Sequence, residues 1–391
     1  MGLVRKSILG VGIVLVVGAV SVVCFAPGIV EDGMNPVAEH DPYPVSAEAQ
    51  TLHNSLIVGD WHSDSLLWKR DLTERMERGQ VDFPRLREGG SAIQVFTTVT
   101  KSPAGQNYEE NSADASDNIT LLATLSLWPP RTWNDLTERA LYQSEKLHDF
   151  AARDGKVRIV RTRADLDAAL EERAADRDVL IAVLGTEGGH PLKGEMGNMD
   201  LMDEAGFRVF GLQHFFDNEL GGSLHGLSNA GLTDFGRQVV EEVAKRGMVL
   251  DLAHSSPRVV EETLDMVDMP VIVSHGGLFS FCEVKRNLPD ALMKRVAEGG
   301  GVIGMGYWGD VTCGDDSPAG VAAMIAAAVE VVGEDHVSLG SDYDGSVATG
   351  FDTSELPALT QALMDEGLTD DQIAKVMGGN MVRVLRARLP Q

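Results

Sequence analysis

Positive charge is scarce in this sequence. The chain of 391 residues has 33 lysine and arginine residues against 59 aspartate and glutamate residues, a formal net charge of −26, and no long basic cluster. Because nucleic-acid binders need a basic surface to neutralise phosphates, this composition excludes that class of protein. The acidic excess is typical of solvated helix faces that keep a protein soluble, although it would also repel anionic substrates.

Aromatic residues, repeats and internal linkers are also lacking. Aromatics make up only 6% of the chain, whereas 42 glycines suit many tight strand-to-helix turns. No second linker, low-complexity tract or short-period repeat occurs after residue 48, which indicates one domain over residues 48–388.

The N-terminal residues differ from the rest of the chain. Arg5 and Lys6 precede Ser7–Cys24, an uncharged and mostly apolar run of 18 residues. Such a run is just long enough to span a bilayer, and the basic pair predicts a cytoplasmic N-terminus. We favour a signal anchor over residues 1–26, with a cleaved signal as the alternative. Either way the rest of the chain is expected on the periplasmic or extracellular side, behind a Pro- and Gly-rich linker over residues 27–47.

Cysteine is limited to three residues. Cys24 lies in the apolar run, and Cys282 and Cys313 stand 31 residues apart. In an oxidising compartment the last two favour a disulfide, although two buried free thiols remain the alternative.

Short apolar, β-branched runs recur along the chain. Eight of them are found: Leu56–Asp60, Ala92–Val99, Val179–Leu184, Phe207–Leu212, Met248–Leu252, Val271–Ser274, Val302–Met305 and Val337–Leu339. Such runs are typical of parallel strands buried on both faces. Between them lie stretches with helical spacing, including Leu232–Arg246 and Val321–Val332, which are followed by Gly247 and Gly333 at the expected helix ends.

Eight alternating strands and helices predict an α/β fold, a (β/α)₈ TIM-type barrel. The long gap over residues 100–178 must then contain extra helices. The main alternative, a doubly wound open sheet, would usually have a Gly-rich phosphate turn after its first strand. Here the first strand leads into Trp-His-Ser-Asp instead.

Half of the ten histidines end strands or follow them closely, together with several carboxylates. The residues at these strand ends are His62, Asp64, Glu187, His190, His214, His254, His275, Asp342 and Asp344. Because barrel enzymes place their active sites at the carboxyl ends of the strands, this distribution predicts a site there.

Each of these signals has a simpler reading when it is taken alone. His62 and Asp64 are two residues apart and point the same way on extended backbone, but a lone pair of this kind is more often a hydrogen-bonded surface pair. Glu187 precedes two glycines, a pattern that also suits a plain strand-ending turn. His254 and His275 each end a predicted strand, and two such histidines on consecutive strands argue against ordinary core residues.

Taken together, the histidines and carboxylates predict a metal site. Soft-metal sites need cysteine, and none is near these motifs, so the mixture favours zinc, with manganese or cobalt as alternatives. Two cations sharing a hydroxide would lower its pKa and polarise a substrate carbonyl.

Seven motifs in order now resemble the membrane dipeptidase (renal dipeptidase) family of zinc peptidases. They are D-W-H-S-D, T-E-G-G-H, L-Q-H, D-L-A-H-S-S, V-I-V-S-H, R-N-L-P-D and G-S-D-Y-D-G, and the similarity spans nearly all of residues 50–388. The resemblance implies two Zn²⁺ ions per subunit: His62 and Asp64 would hold one, His254 and His275 the other, and Glu187 and a hydroxide would bridge them.

The resemblance also implies the groups that handle the substrate. His214 would contact the substrate and steady the tetrahedral intermediate, and Arg286 would bind its carboxylate. Asp342 would accept a proton and return it to the leaving amine, unless it only braces a ligand. Cys282 and Cys313 fall where the family has a disulfide, and a homodimer is typical of the family.

Departures from the family pattern cluster near the expected pocket. Trp61 and Ser63 stand where members commonly have Gly and Asn, and the segment after His214 also differs, so these residues are expected to line or border the pocket. We therefore expect an exported zinc dipeptidase whose preference for L- or D-residues is open. The alternatives are a related barrel hydrolase acting on another amide, lactam or ester, and an exported binding protein without turnover.

Overall fold

The computed structural model describes residues 23–391. Most of the predicted signal anchor, residues 1–22, therefore lies outside the described part of the chain. Within residues 23–391, no helix is both long enough and apolar enough to cross a membrane.

Within the described residues 23–391, nine strands form a single parallel sheet. Their bounds are β1 Val58–Asp60, β2 Ser91–Val99, β3 Val157–Ile159, β4 Leu180–Glu187, β5 Phe207–Gly211, β6 Val249–Asp251, β7 Ile272–Val273, β8 Val302–Met305 and β9 Val337–Leu339. Neighbouring strands follow the order β2-β1-β9-β8-β7-β6-β5-β4, and a further pairing of β2 with β4 closes the ring. The predicted eight-stranded barrel is therefore confirmed.

β3 is the one strand that the apolar runs did not reveal. It pairs only with the first half of β4 and lies beside the ring. Arg158 and Ile159 are only half-buried there, because one side of this short strand faces solvent. A three-residue strand with a charged centre has neither a continuous apolar run nor a clear alternation to detect.

Thirteen α-helices surround the sheet between residues 47 and 388. Their bounds are α1 Ala47–Ser55, α2 Phe83–Glu88, α3 Asn118–Leu125, α4 Leu136–Asp154, α5 Arg163–Ala175, α6 Gly197–Glu204, α7 Asp234–Lys245, α8 Pro257–Met266, α9 Asp290–Glu298, α10 Pro318–Val332, α11 Leu356–Asp365, α12 Asp370–Ala374 and α13 Asn380–Arg388. The gap over residues 100–178 does contain extra helices, namely α3, α4 and α5.

Capping residues set the ends of the two predicted helices. α7 begins after Thr233, whose hydroxyl accepts a hydrogen bond from the backbone N–H of Gly236. α10 begins after Ser317, which caps it in the same way, and it ends at Gly333 with φ at 85°. α10 thus starts earlier than its apolar spacing predicted, because the hydroxyl cap and Pro318 define the first turn.

The strands are buried on both faces, as their apolar runs predicted. Every residue of β2 and β4 is buried. Alternate strand residues such as Ile93, Val183 and Val249 pack in one cluster with Val384 and Leu385 of α13. Burial of both faces holds the strand ends rigidly, so side chains placed there have fixed positions.

Part of the segment predicted as a linker is ordered against the barrel. Residues 23–34 are helical, and Glu31 and Asn35 are buried. This stretch is called helix 23–34 below.

Candidate metal centre

The five predicted metal ligands all lie at one end of the barrel. His62 and Asp64 follow β1, Glu187 ends β4, His254 follows β6 and His275 follows β7. Each of these residues is no more than 5% exposed. The closed ring brings together residues that are more than 200 positions apart in the chain.

Glu187 lies at the centre of this group. Its Oε1 is 3.1 Å from His254 Nε2 and 3.4 Å from His275 Nε2. The same oxygen is 3.5 Å from His62 Nε2, while Oε2 is 3.2 Å from His214 Nε2. The three predicted ligand imidazoles thus face one oxygen of this carboxylate, and His214 faces the other.

Two groups of potential ligand atoms share this carboxylate. Each group lies within 4.8 Å: His62, Glu187, His275 and Asp342 in one, and Glu187, His214 and His254 in the other. Asp64 stands beside the first group, its Oδ1 3.5 Å from His62 Nε2. The assignment of His254 and His275 to the same ion stays a prediction.

The electrostatics of the cluster fit divalent cations. Burial raises the pKa of Glu187 well above its ordinary value, and the neighbouring charge of Asp64 adds to this. Burial alone would lower the pKa of His62, but the charges of Asp64 and Glu187 raise it to about 10. Burial keeps His254 and His275 neutral by lowering their pKa values, and neutral imidazole is the form that binds metals. His254 and His275 thus offer neutral nitrogen donors beside crowded carboxylates that need positive charge nearby.

Two strand-end aspartates, which sequence reasoning missed, hold the ligand loops in place. Asp60 accepts hydrogen bonds from the backbone N–H groups of His62, at 2.9 Å, and Ser341, at 3.0 Å. Asp251 accepts one from the N–H of Ser274, at 2.9 Å. Each carboxylate thus ties its own loop to a loop that follows another strand. The sequence did contain a signal for them, because an aspartate is the first residue of both the D-W-H motif and the D-L-A-H motif.

The backbone at the site adopts unusual conformations. His254, Asp342 and Asp344 have φ near +61°, a region that non-glycine residues rarely occupy. Such conformations cost on the order of 1–3 kcal/mol each and persist where the surrounding structure enforces them.

Ser274 Oγ lies 2.8 Å from His275 Nδ1, which leaves the Nε2 of that ring facing Glu187.

Two cavities open from the cluster, and both are lined by Glu187 and His214. The polar cavity, of about 220 Å³, is also lined by Tyr108, Arg286, Asp310 and Asp342. The apolar cavity, of about 250 Å³, is lined mainly by hydrophobic side chains together with Asp64. The predicted substrate-handling residues therefore all contact the polar cavity.

Arg286 is fixed in the wall of the polar cavity. Its Nη2 donates a hydrogen bond to the backbone oxygen of His275 at 3.0 Å, and its guanidinium lies 5.7 Å from the centre of the Trp308 ring. The disulfide between Cys282 and Cys313 joins the loops after β7 and β8 nearby, which confirms that prediction.

The residues that depart from the family pattern do not all lie at the pocket. Trp61 is fully buried in the barrel core, and neither Trp61 nor Ser63 lines the two cavities, so that expectation was wrong for them. Phe215, in the divergent segment, does line the polar cavity. Sequence reasoning missed Tyr108 there, because it stands in a polar loop between β2 and α3 with no strand-end position to mark it.

A buried histidine and carboxylate cluster at the carboxyl end of a (β/α)₈ barrel defines the class of barrel metallohydrolases. Within that class, the chain belongs to the membrane dipeptidase family, peptidase family M19, whose model matches residues 46–389.

Similar proteins agree with this membership. The dipeptidase aclJ of Aspergillus oryzae is 29% identical over 355 residues, covering 83% of this chain and 76% of that protein. The probable dipeptidase PvdM from Pseudomonas aeruginosa has a similar fold, with a TM-score of 0.71, 19% identity, and coverage of 88% and 98% of the two chains. A metallopeptidase from Rhodobacter sphaeroides, solved with a phosphinate mimic of L-Ala-D-Ala, gives a TM-score of 0.67 at 21% identity, covering 85% and 99%.

Proposed function

We propose that this protein is an exported, zinc-dependent dipeptidase with two ions per subunit. The observation that carries the proposal is the polar cavity, which places the histidine and carboxylate cluster and Arg286 around one small space. A peptide bond at the cluster and a carboxylate at Arg286 can both be held only if that bond is the last one before the C-terminus of the substrate. Longer peptides would have to extend beyond a cavity of about 220 Å³.

Arg286 is suited to binding the free carboxylate of the substrate. Its side chain is buried, and Trp308 and the His275 carbonyl hold it in place. A guanidinium can bind a carboxylate through two parallel hydrogen bonds, which sets both the position and the orientation of the ligand. Asp310, which also lines this cavity, would repel a second substrate carboxylate.

Zinc held by His62, Asp64, Glu187, His254 and His275 would polarise the carbonyl and supply a nucleophile derived from water at neutral pH. His214 lies against Glu187 and lines both cavities, so its ring faces the place where charge develops on the carbonyl oxygen. Asp342 lines the polar cavity with its Oδ1 3.6 Å from His62 Nε2, a position that suits proton transfer to and from a substrate held there.

Substitution of one ligand tests the proposal. His254→Ala should abolish hydrolysis of Ala-Ala and lower the zinc content of the purified protein, because it removes a nitrogen donor facing Glu187. His148→Ala is the matched control, since His148 is exposed on α4 and bonds only to Ser144 of its own helix. Activity and metal content are measured on the same preparations, with dipeptides of both stereochemistries.

Full activity of His254→Ala would contradict the two-zinc proposal. Zinc binding with turnover of a lactam or ester, but of no dipeptide, would replace the proposed substrate with a related one. Zinc binding without turnover of any of these would favour a binding protein.

We also propose export, anchoring through residues 1–26, and a homodimer. The Cys282–Cys313 disulfide supports an oxidising compartment. The apolar run Ser7–Cys24 supports the anchor, and the dimer rests on family resemblance. Membrane fractionation, and light scattering of detergent-solubilised protein, test these points.

A further inference from the structure

The apolar cavity has walls that come from outside the barrel. Helix 23–34 contributes Ala26, Pro27, Val30 and Met34, and α3 contributes four apolar side chains on the other side. Leu67, Trp68 and Val99 complete the lining close to the cluster. The cavity therefore connects Glu187 and His214 with a space walled by hydrophobic groups.

Helix 23–34 is attached to the barrel by buried ion pairs. Glu31 is fully buried, with Oε1 2.8 Å from Arg70 Nε and Oε2 2.9 Å from Arg78 Nε. Arg70 in turn pairs with Asp344, in the loop that follows β9. Breaking a buried ion pair typically costs several kcal/mol, so these contacts hold the helix in one position.

The end of the helix is tied to the same active-site loop. Asn35 accepts a hydrogen bond from the backbone N–H of Ser346 at 2.7 Å. Backbone bonds then join Ala38 to Thr349 at 2.8 Å and Thr349 to Pro36 at 3.1 Å. Because Ser346 lines both cavities, the wall formed by the helix is positioned relative to the cluster itself.

We propose that helix 23–34 forms part of the substrate site and selects dipeptides with a large apolar N-terminal residue. This inference rests on the proposed dipeptidase function. Arg286 lines the polar cavity and not the apolar one, which assigns the C-terminal residue of the substrate to the polar side. With the peptide bond at Glu187 and His214, the side chain of the N-terminal residue extends into the apolar cavity.

The size and lining of the apolar cavity suit such a side chain. Its volume of about 250 Å³ is several times the roughly 30 Å³ that one water molecule occupies in the liquid. An apolar side chain that fills this space removes hydrophobic surface from solvent on both partners. An alanine methyl group would leave most of the cavity unfilled.

The test compares Leu-Ala with Ala-Ala in two neighbouring variants. Val30→Glu places a charge in the cavity wall, whereas Ile29→Glu places it one residue away on a side chain that is 70% exposed and does not line the cavity. The wild type should prefer Leu-Ala in kcat/KM by at least roughly tenfold, since one well-packed methylene group is worth that much. Val30→Glu should remove most of this preference, whereas Ile29→Glu should leave both the preference and the rate of Ala-Ala hydrolysis as they are in the wild type.

Calorimetry with phosphinate analogues of the two dipeptides gives a second readout that needs no turnover. The leucine analogue should lose affinity in Val30→Glu and keep it in Ile29→Glu, with thermal unfolding confirming that both variants fold. Two results would overturn this inference but not the proposed dipeptidase function. One is an equal loss of kcat/KM for both dipeptides in Val30→Glu, and the other is a wild type that hydrolyses Ala-Ala without preferring Leu-Ala. A wild type that cleaves neither dipeptide would overturn the proposed function, and this inference with it.

Discussion

The two cavities that meet at Glu187 are built from different parts of the molecule. The polar cavity is formed mostly by loops that directly follow barrel strands, where Arg286 and Asp342 lie. The apolar cavity depends on helix 23–34 and α3, which lie outside the strand-and-helix repeat. The barrel thus carries the residues proposed for chemistry, whereas added segments carry those proposed for selectivity. We call the two cavities the polar half and the apolar half of the site. A substitution in one half should therefore have little effect on the function of the other half.

The largest effect is expected from Glu187→Gln, which removes the charge shared by both halves. The neutral amide could not compensate the charge of the two proposed cations, so we expect kcat on every dipeptide to fall by at least about a thousandfold. Steady-state kinetics and metal analysis measure this result. If kcat fell for Leu-Ala alone, Glu187 would serve only the apolar half. That result would contradict the view that both cavities share this carboxylate.

A smaller effect, confined to the polar half, is expected from Arg286→Ala. Loss of a charge-assisted bidentate contact should lower kcat/KM for Ala-Ala by about a hundredfold, mostly through KM. The preference for Leu-Ala over Ala-Ala should remain. The control is a dipeptide amide, which lacks the carboxylate and should be hydrolysed equally by both proteins; a parallel loss on the amide would contradict the assigned role.

The smallest effect is expected from Glu31→Gln, which weakens the attachment of helix 23–34. Loss of the charge that faces Arg70 and Arg78 should cost about 1–3 kcal/mol of local stability. Hydrogen exchange over residues 23–34 should accelerate, and the Leu-Ala preference should fall by a few-fold while Ala-Ala kinetics stay unchanged. Asp32→Asn is the control, because Asp32 is the exposed neighbour. Unchanged exchange rates would show that the ion pairs do not hold the helix.

Much of the barrel could be predicted from local patterns. A strand buried on both faces has to be apolar over its length, and eight such runs match eight strands of the ring. β3 escaped because Arg158 interrupts it and one side faces solvent. Helix 23–34 escaped because Pro27, Gly28 and Gly33 are typical of a linker, and its ion pairs to Arg70 and Arg78 cannot be read from the sequence.

In the candidate site, too, some residues could be predicted from the sequence and others could not. His62, His254 and His275 were identifiable because strand ends of a barrel converge, so position in the repeat implied proximity in space. The bracing roles of Asp60 and Asp251 depend on which loop amides they face, and only the closed ring brings those amides to them.

By itself, then, the sequence determined the barrel and the gathering of imidazoles and carboxylates at one end, because both follow from the order of strands along the chain. Only the tertiary structure decided that Glu187 lies between imidazoles on both sides, that two cavities meet there, and that Val30 and Met34 line one of them. Those features depend on contacts between segments that are distant in the chain, and no local pattern encodes their distances and directions.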